Sequence, residues 1–154
     1  MALSEIIRPD AVRVVSSVPS KKRLIQAVGD IANAVYGIDA ISATDSLLER
    51  ESLGPTGVGK GIALPHARLT GINGVIGVFL RIEKPVEFDA VDRQPVDLIF
   101  GLFAPRDSGV DHLKALAQVS RTLRDQAVCE KLRSNSNVAT LHAVLTDPTM
   151  AEMA

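Results

Sequence analysis

Apolar residues recur with helical spacing in the stretch that follows Ser20. Between Lys21 and Tyr36 they fall three or four positions apart: Leu24, Ile25, Val28, Ile31, Ala32 and Val35. This spacing predicts an amphipathic helix. Ser20 is a favourable N-cap residue, and Gly37 provides a stop signal because glycine adopts the left-handed conformation without strain. The sequence therefore predicts a helix over 21–36.

Four further helices follow from similar signals. One is expected from about 43 to 53, because Gly54-Pro55 comes directly after it and breaks helices. A longer helix is expected over 111–125, where one stripe contains His112, Leu116, Val119 and Leu123. Two short helices are expected over about 127–133 and 138–145.

The apolar runs between these helices are short, as is typical of strands. Ile62-Ala63-Leu64 is expected to form a buried strand that ends before Pro65, because proline cannot donate to a sheet ladder. Further strands are expected over 75–82 and 96–103, with a brief extended piece over 86–88. The run 96–103 is apolar at nearly every position, which is typical of a central strand covered on both faces.

This order of elements predicts an α/β fold. Helices before, between and after the strands favour a mixed β-sheet flanked by helices in an α/β/α sandwich. Residues 1–154 are expected to form a single domain, which at this length can bury a substantial core.

Composition narrows the classes of function. The 17 basic and 18 acidic residues leave a formal net charge of −1, so no bulk attraction to nucleic acid or to an anionic membrane is expected. Cys129 is the one cysteine, which excludes an internal disulfide and a multi-cysteine metal site. The N-terminus has no signal-peptide pattern, and no apolar run approaches the roughly 20 residues of a membrane span. A cytoplasmic protein is expected, without membrane insertion.

The glycine-rich segment 57–68 contains the strongest candidate for chemistry. It reads Gly-Val-Gly-Lys-Gly-Ile-Ala-Leu-Pro-His-Ala-Arg, and it delivers His66 from the end of an apolar run towards backbone amides, Lys60 and Arg68. Such a position suits a histidine that meets an anion and exchanges a group with it. The alternative is a loop histidine bonded to the backbone. The surrounding glycines and Pro65 favour the functional interpretation.

The same region resembles the sequence motif of a nucleotide-binding loop. Residues 54–60 match G-x-x-x-x-G-K, but Gly61 stands where a Ser or Thr hydroxyl should hold Mg²⁺. The order of elements is also reversed, because a nucleotide loop runs from a strand into a helix whose N-terminus faces the phosphates. The sequence therefore argues against nucleotide binding.

Two other histidines need an interpretation. His112 lies in the first turn of the predicted helix 111–125 and is expected to face the sheet. The dipole there disfavours imidazolium and favours a neutral ring that can bond a phosphorylated group, although a partly buried structural histidine explains the position equally well. His142 is expected on the polar side of the last helix, without a role. Neither an H-E-x-x-H pair nor a G-x-S-x-G elbow occurs, so zinc and serine-nucleophile chemistry are not expected.

Two segments carry a resemblance to a known family. The stretch from Arg50 to His66, with Thr-Gly-x-Gly and Ile-Ala-Leu-Pro-His, resembles the phosphorylation site of fructose/mannitol-type IIA components of the bacterial phosphotransferase system (PTS). The free-standing nitrogen-regulatory IIA proteins are the closest look-alikes. The stretch from Asp111 to Leu123 resembles the helix with that family's second histidine. This combination is specific and the element order agrees across the chain, but Ala67 stands where the family often has glycine.

The resemblance implies phosphoryl carriage without a cofactor or a metal. His66 would accept the group from a small phosphohistidine carrier of the HPr or NPr type. The tele nitrogen, Nε2, is the expected position, although the sequence itself does not distinguish the two ring nitrogens. His112 would bond the phosphoryl oxygens or tune His66, and Arg50 would supply cationic stabilisation. Three residues would shape the loop or donate to the phosphate: Thr56, Gly57 and Gly59.

The regulatory role and two alternatives follow from the same resemblance. The leading expectation is a nitrogen-PTS regulator that binds target proteins, such as transporters or kinases, according to its phosphorylation state. A stand-alone sugar-transport IIA would instead pass the group to a IIB component. A IIA-like binding regulator would dock on partners without phosphate turnover.

Overall fold

One six-stranded mixed sheet organises the computed structural model, which describes residues 2–147. Its strands are β1 (Val12–Val15), β2 (Gly57–Gly59), β3 (Ile62–Ala63), β4 (His66–Leu69), β5 (Ile76–Val86) and β6 (Val96–Pro105). The order is β1-β5-β6-β3-β2, and β4 also pairs with β6. Strands β5 and β6 are antiparallel, as are β2 and β3, whereas β1 runs parallel to β5 and both β3 and β4 run parallel to β6.

Two groups of helices cover this sheet. The helices are α1 (Lys21–Tyr36), α2 (Ala40–Ser52), α3 (Val110–Arg124), α4 (Gln126–Arg133) and α5 (Val138–Thr146). Helices α1 and α2 pack on each other, on β5 and on β4, whereas α3, α4 and α5 pack in succession, with α3 against β6 and α5 against β1. The predicted mixed sheet flanked by helices is confirmed. None of the helices described over residues 2–147 is both long and apolar enough to span a membrane.

Local capping explains where the first two helices begin and end. The Ser20 hydroxyl accepts from the Arg23 N–H, and Gly37 ends α1 with φ +73°, as the sequence predicts. Helix α2 begins at Ala40, because the Asp39 carboxylate caps it by accepting from the Ser42 N–H at 2.9 Å. The predicted start near 43 was therefore about one turn too late.

The prediction that the His66 strand ends at Pro65 was only half right. Strand β3 does end before Leu64, but β4 resumes at His66 and pairs with the same partner strand. Pro65 lacks an N–H but keeps its carbonyl, which accepts from the Leu102 N–H at 2.9 Å. The ladder to β6 therefore passes the proline, and His66 is the first residue of a strand.

Periodicity in the sequence does not identify β1 or β2. Strand β1 has four residues and lies at a sheet edge beside 79–82 of β5. Strand β2 has three residues, two of them glycine. Such short segments carry too few side chains for an alternating pattern. Strand β5 is longer than expected and includes Val86, after a register irregularity that follows Arg81.

The apolar run 96–103 forms the centre of the sheet, as predicted. Residues 98–104 of β6 are all buried, between β5 on one side and β3 with β4 on the other. All four phenylalanines are fully buried in the core: Phe79, Phe88, Phe100 and Phe103. This rigid centre positions β4, and with it the side chain of His66.

Candidate functional site

Three elements meet at a surface pocket of about 410 Å³: the start of β4, the last turn of α2 and the first turn of α3. Its polar lining consists of Ser46, Glu49, Arg50, His66, Arg68, Arg106 and His112. Its apolar lining consists of Leu53, Ala67, Leu113 and Leu116. Three guanidinium groups face one carboxylate in this lining. The pocket is therefore cationic and suits an anionic group.

The backbone fixes the tautomer of His66. Its Nδ1 lies 2.8 Å from the Leu64 carbonyl oxygen. A carbonyl oxygen can only accept, so a neutral ring must carry its proton on Nδ1. The other ring nitrogen, Nε2, then keeps its lone pair and is the nucleophilic atom.

The surroundings of His66 favour that neutral ring. Burial, more than any other influence, lowers the pKa of His66, and the Arg50 charge lowers it further. The Leu64 carbonyl and the Glu51 carboxylate act in the opposite direction without reversing the shift. His66 is therefore uncharged, and able to use its lone pair, at neutral pH.

His112 lies against His66 and is buried, with 7% of its surface exposed. The two ring centroids are 5.3 Å apart and the planes meet at 71°. Nε2 of His112 is buried and has no hydrogen-bond partner among residues 2–147. A buried polar nitrogen without a partner is costly, so this atom is suited to bond a group that enters the pocket. The prediction that His112 lies on the sheet-facing side of its helix is confirmed.

The charge state of His112 follows from its burial. Burial lowers its pKa to about 4, and the neighbouring His66 and Arg68 contribute in the same direction. The sequence analysis explains a neutral ring by the helix dipole, and the structure adds burial as a cause that favours the same neutral form.

The low pKa of His112 predicts a dependence of stability on pH. Between pH 6.5 and about 4 the unfolded chain binds a proton at this residue that the folded protein does not bind. The free energy of unfolding should therefore fall as the pH is lowered from 7 to 5. In His112→Gln this decline should be shallower, as measured by urea unfolding at both pH values. An equal decline in the two proteins would show that His112 is not the group responsible.

Arginine side chains are held around the pocket by backbone carbonyls. Arg50, in the last turn of α2, donates to the Gly54 carbonyl at 3.1 Å. Arg68 donates to the carbonyls of Arg106 and Gly109 at 3.1 and 3.4 Å. Within residues 2–147 no ion pair joins Arg50 or Arg68 to a carboxylate. Their charges therefore remain uncompensated by an acid and attract an anion.

The sequence places Lys60 beside His66, but the structure does not. Lys60 is absent from the pocket lining, and its N–H donates to Asp92 while its carbonyl accepts from Arg133. Its φ of +58° belongs to the turn between β2 and β3. Arg68, by contrast, lines the pocket.

The three predicted loop residues, Thr56, Gly57 and Gly59, are outside the pocket lining. Thr56 is buried, and both its N–H and its hydroxyl donate to Glu51. Gly59 has φ +101°, which favours glycine. Gly57 has no room for a side chain, because a Cβ there would lie 2.8 Å from the Cβ of Ala90. In this geometry the Thr56 hydroxyl is engaged by Glu51, and the two glycines meet steric or conformational requirements of the loop.

Substitution of Gly57 tests how tightly this loop is fixed. Gly57→Ala must displace the backbone at Ala90, because the added Cβ would also lie 2.9 Å from the Cα of Ala90. We expect the free energy of unfolding to fall by about 1–3 kcal/mol, as for other overpacked sites. Gly74→Ala is the matched control, since no atom lies within 4 Å of a Cβ at that position. Equal stability of the two variants in denaturant would contradict the close approach.

The sequence analysis does not include Glu51 or Lys21 among the candidate site residues. Glu51 is 9% exposed, and Lys21 lies 3.0 Å from its Oε2. A signal was nevertheless present in the sequence. Ala43, Leu47 and Glu51 recur four residues apart, which puts the glutamate on the buried face of α2.

No group of three or more His, Cys, Asp or Glu side chains in residues 2–147 is arranged to hold a metal ion.

Comparison with known proteins places the chain in a family. Residues 5–147 match the family described as "Phosphoenolpyruvate-dependent sugar phosphotransferase system, EIIA 2". A nitrogen regulatory protein of Bradyrhizobium diazoefficiens is 39% identical over 148 residues, which cover 96% of this chain and 97% of that protein. A fructose-specific EIIA component of Haloferax volcanii is 38% identical over 109 residues, 71% of each chain. The crystal structure of the nitrogen regulatory protein IIA-Ntr from Neisseria meningitidis superposes with a TM-score of 0.87 at 33% identity, covering 94% of this chain and 99% of that one.

The family match, the Bradyrhizobium match and the Neisseria superposition each span nearly the whole chain, and the family match, over residues 5–147, contains every residue that lines the pocket. The chain belongs to the type 2 EIIA family of the phosphotransferase system. Among its relatives are proteins named as nitrogen regulators, and the fold is that of IIA-Ntr.

Proposed function

We propose that this protein is a nitrogen-PTS phosphocarrier that accepts a phosphoryl group on Nε2 of His66. The donor is a phosphohistidine carrier of the HPr or NPr type. The observation that carries the proposal is the 2.8 Å contact of Nδ1 with the Leu64 carbonyl, in a cationic pocket shared with His112. It leaves one nucleophilic nitrogen at the pocket.

The transfer is balanced in atoms and electrons. The Nε2 lone pair of neutral His66 attacks phosphorus, a new N–P bond forms, and the N–P bond of the donor histidine breaks. The donor imidazole leaves with that electron pair. His66 keeps its Nδ1 proton, so its ring gains positive charge, which the Leu64 carbonyl stabilises. No metal or base is required at this step, because positioning and charge stabilisation supply most of the catalysis.

His112 and Arg50 act on the phosphoryl oxygens in this proposal. Nε2 of His112, which otherwise has no hydrogen-bond partner among residues 2–147, donates to an oxygen of the phosphoryl group and so gains one. Arg50 lies in the last turn of α2, whereas His112 lies on α3. The Arg50 guanidinium group offsets the negative charge of the phosphoryl oxygens. Both interactions gain strength from the partly buried surroundings.

Exposed apolar side chains at the rim give a surface on which the donor can dock. Leu53 is 80% and Leu113 63% exposed, and both line the pocket. Val110 lies one turn before Leu113 on α3 and is 61% exposed. An apolar rim around a cationic centre suits a transient protein partner that delivers a phosphoryl group.

The regulatory part of the proposal rests on the relatives. The Bradyrhizobium and Neisseria proteins are both named nitrogen regulatory. We infer that the phosphorylated and unphosphorylated forms bind target proteins, such as transporters or kinases, with different affinities, and that they do so in the cytoplasm. The change of charge at His66 lies between exposed apolar residues, where it alters any docked interface.

A second candidate function is favoured by the Haloferax relative, which is named a fructose-specific EIIA component. In that case the phosphoryl group moves on to a IIB component of a sugar transporter. The two candidates share the acceptance step at His66 and differ in the fate of the group.

Reconstitution of the phosphorelay tests the proposal. The protein is incubated with labelled phosphoenolpyruvate, enzyme I and an HPr-type or NPr-type carrier. The proposal expects acid-labile, alkali-stable label, as for a phosphoramidate, and its retention when fructose-type IIB protein is added. Rapid discharge to IIB would support the sugar-transport candidate. A folded protein that takes no label from either active carrier would overturn the phosphocarrier proposal and favour a binding regulator.

A further inference from the structure

Glu51 is the one buried acidic residue among residues 2–147, with 9% of its surface exposed. Its Oε2 accepts from the Thr56 N–H at 2.8 Å and pairs with Lys21 at 3.0 Å. Its Oε1 accepts from the Thr56 hydroxyl. A carboxylate with this many partners is fully satisfied and fixes whatever it holds. It holds the residue at which α2 leads into the β2 hairpin.

Thr56 transmits this restraint to Leu64. The Thr56 carbonyl accepts from the Leu64 N–H at 2.9 Å. The Leu64 carbonyl then accepts from Nδ1 of His66 at 2.8 Å. A continuous path of hydrogen bonds, linked through Thr56 and through the backbone of Leu64, therefore runs from Lys21 and Glu51 to the imidazole.

Because of Pro65, the orientation of the Leu64 carbonyl that contacts the imidazole depends on this path. The peptide unit that contains the Leu64 carbonyl ends at the proline nitrogen, so it has no N–H that could anchor it. Its orientation depends on the residues at each end. Leu64 is tied to Thr56, and the Pro65 carbonyl is tied to Leu102. If the hydrogen bond between Leu64 and Thr56 is weakened, the Leu64 carbonyl can reorient, and this carbonyl selects the His66 tautomer.

We propose that Glu51, through Thr56, is a positioning residue that keeps His66 in the Nδ1–H tautomer and so presents Nε2 for phosphorylation. This inference rests on the proposed function for its kinetic part and on the structure alone for its tautomer part. Lys21 is the cation that holds the Glu51 carboxylate in place. The same negative charge also favours a positively charged His66 ring, in opposition to Arg50. That effect supports the phosphorylated ring.

The Thr56 pair of variants isolates the hydroxyl contact. Thr56→Ser keeps the donor to Glu51, whereas Thr56→Val removes it at nearly constant volume. We expect Thr56→Val to accept phosphoryl groups about tenfold more slowly, since small misplacements of a reacting group cost up to about 10² in rate. Thr56→Ser should remain close to the wild type. In Thr56→Val, ¹⁵N NMR of the unphosphorylated protein should show part of His66 in the Nε2–H tautomer.

The Glu51 and lysine variants test the carboxylate. Glu51→Gln should shift the His66 tautomer and slow acceptance by at least as much as Thr56→Val, because an amide nitrogen cannot accept from Thr56. Lys21→Met should produce a smaller shift of the same sign. Lys22→Met is its matched control, because Lys22 is exposed and forms none of these contacts.

The positioning role of Glu51 can be tested even if the proposed phosphocarrier function is wrong. The tautomer is read without any carrier, so failure of phosphorylation in the wild type would leave that measurement intact. Folded variants that lose stability but keep wild-type tautomer and rate would overturn the positioning role. If Glu51→Gln does not fold, the Thr56 pair decides: equal tautomer populations in Thr56→Ser and Thr56→Val would overturn it, and a shift in the valine variant alone would support it.

Discussion

His66→Ala is expected to abolish acceptance of phosphoryl groups from the carrier while the protein stays folded. The substitution removes the nitrogen whose lone pair the Leu64 contact leaves free. His112 is not expected to replace it, because its ring lines the pocket beside His66 with only 7% of the residue exposed, and in the proposal it bonds the incoming group. The measurement is incorporation of label from phosphoenolpyruvate through enzyme I and an HPr-type carrier, with circular dichroism to check the fold.

His142→Ala is the matched control for this prediction. His142 lies on α5 and bonds the Ile7 carbonyl at 3.0 Å, away from the pocket lining. The His142→Ala variant should incorporate label at the rate of the wild type. Label on His66→Ala at that same rate would show that phosphorylation occurs elsewhere and would remove the basis of the proposed mechanism.

Arg50→Ala should slow the transfer by about 10²–10³, the range found when one charge-stabilising donor is removed from an active site. The guanidinium has no carboxylate partner within residues 2–147, so its charge is available to the phosphoryl oxygens. Arg50→Lys should recover part of the rate, because it keeps the charge but loses the planar donor geometry. Single-turnover transfer from phosphorylated carrier measures the effect.

Arg121→Ala controls for the general loss of a positive charge. Arg121 is exposed on α3 and bonds the Gln118 side chain. Its removal should leave the transfer rate near that of the wild type. If Arg50→Ala were equally fast, Arg50 would be a helix-terminus residue that complements the dipole of α2.

The helices were accessible to prediction because their signals are local. Ser20, Gly37 and the apolar stripe between them define α1 without reference to the rest of the chain. The strands were less accessible. Strand β1 depends on pairing with β5, and the continuation past Pro65 depends on a carbonyl that bonds Leu102. Such contacts join residues far apart in sequence, and no local pattern encodes them.

The candidate site could also be predicted only in part from the sequence. Its motif residues could be recognised in sequence, and the pocket brings together His66, His112 and Arg50 from β4, α3 and α2. Lys60 shows the limit of proximity in sequence. It is only six positions from His66, but the β2–β3 turn directs it towards Asp92 and Arg133.

The sequence by itself determined the class of fold and the family, and it singled out the candidate histidines and arginine, because these depend on local spacing and on residue type. Only the tertiary structure decided which nitrogen of His66 is free, how far His112 is desolvated and what Glu51 holds. These properties depend on the direction of a carbonyl, on burial and on partners up to tens of residues away. They exist only when the chain is folded, because packing alone fixes those distances.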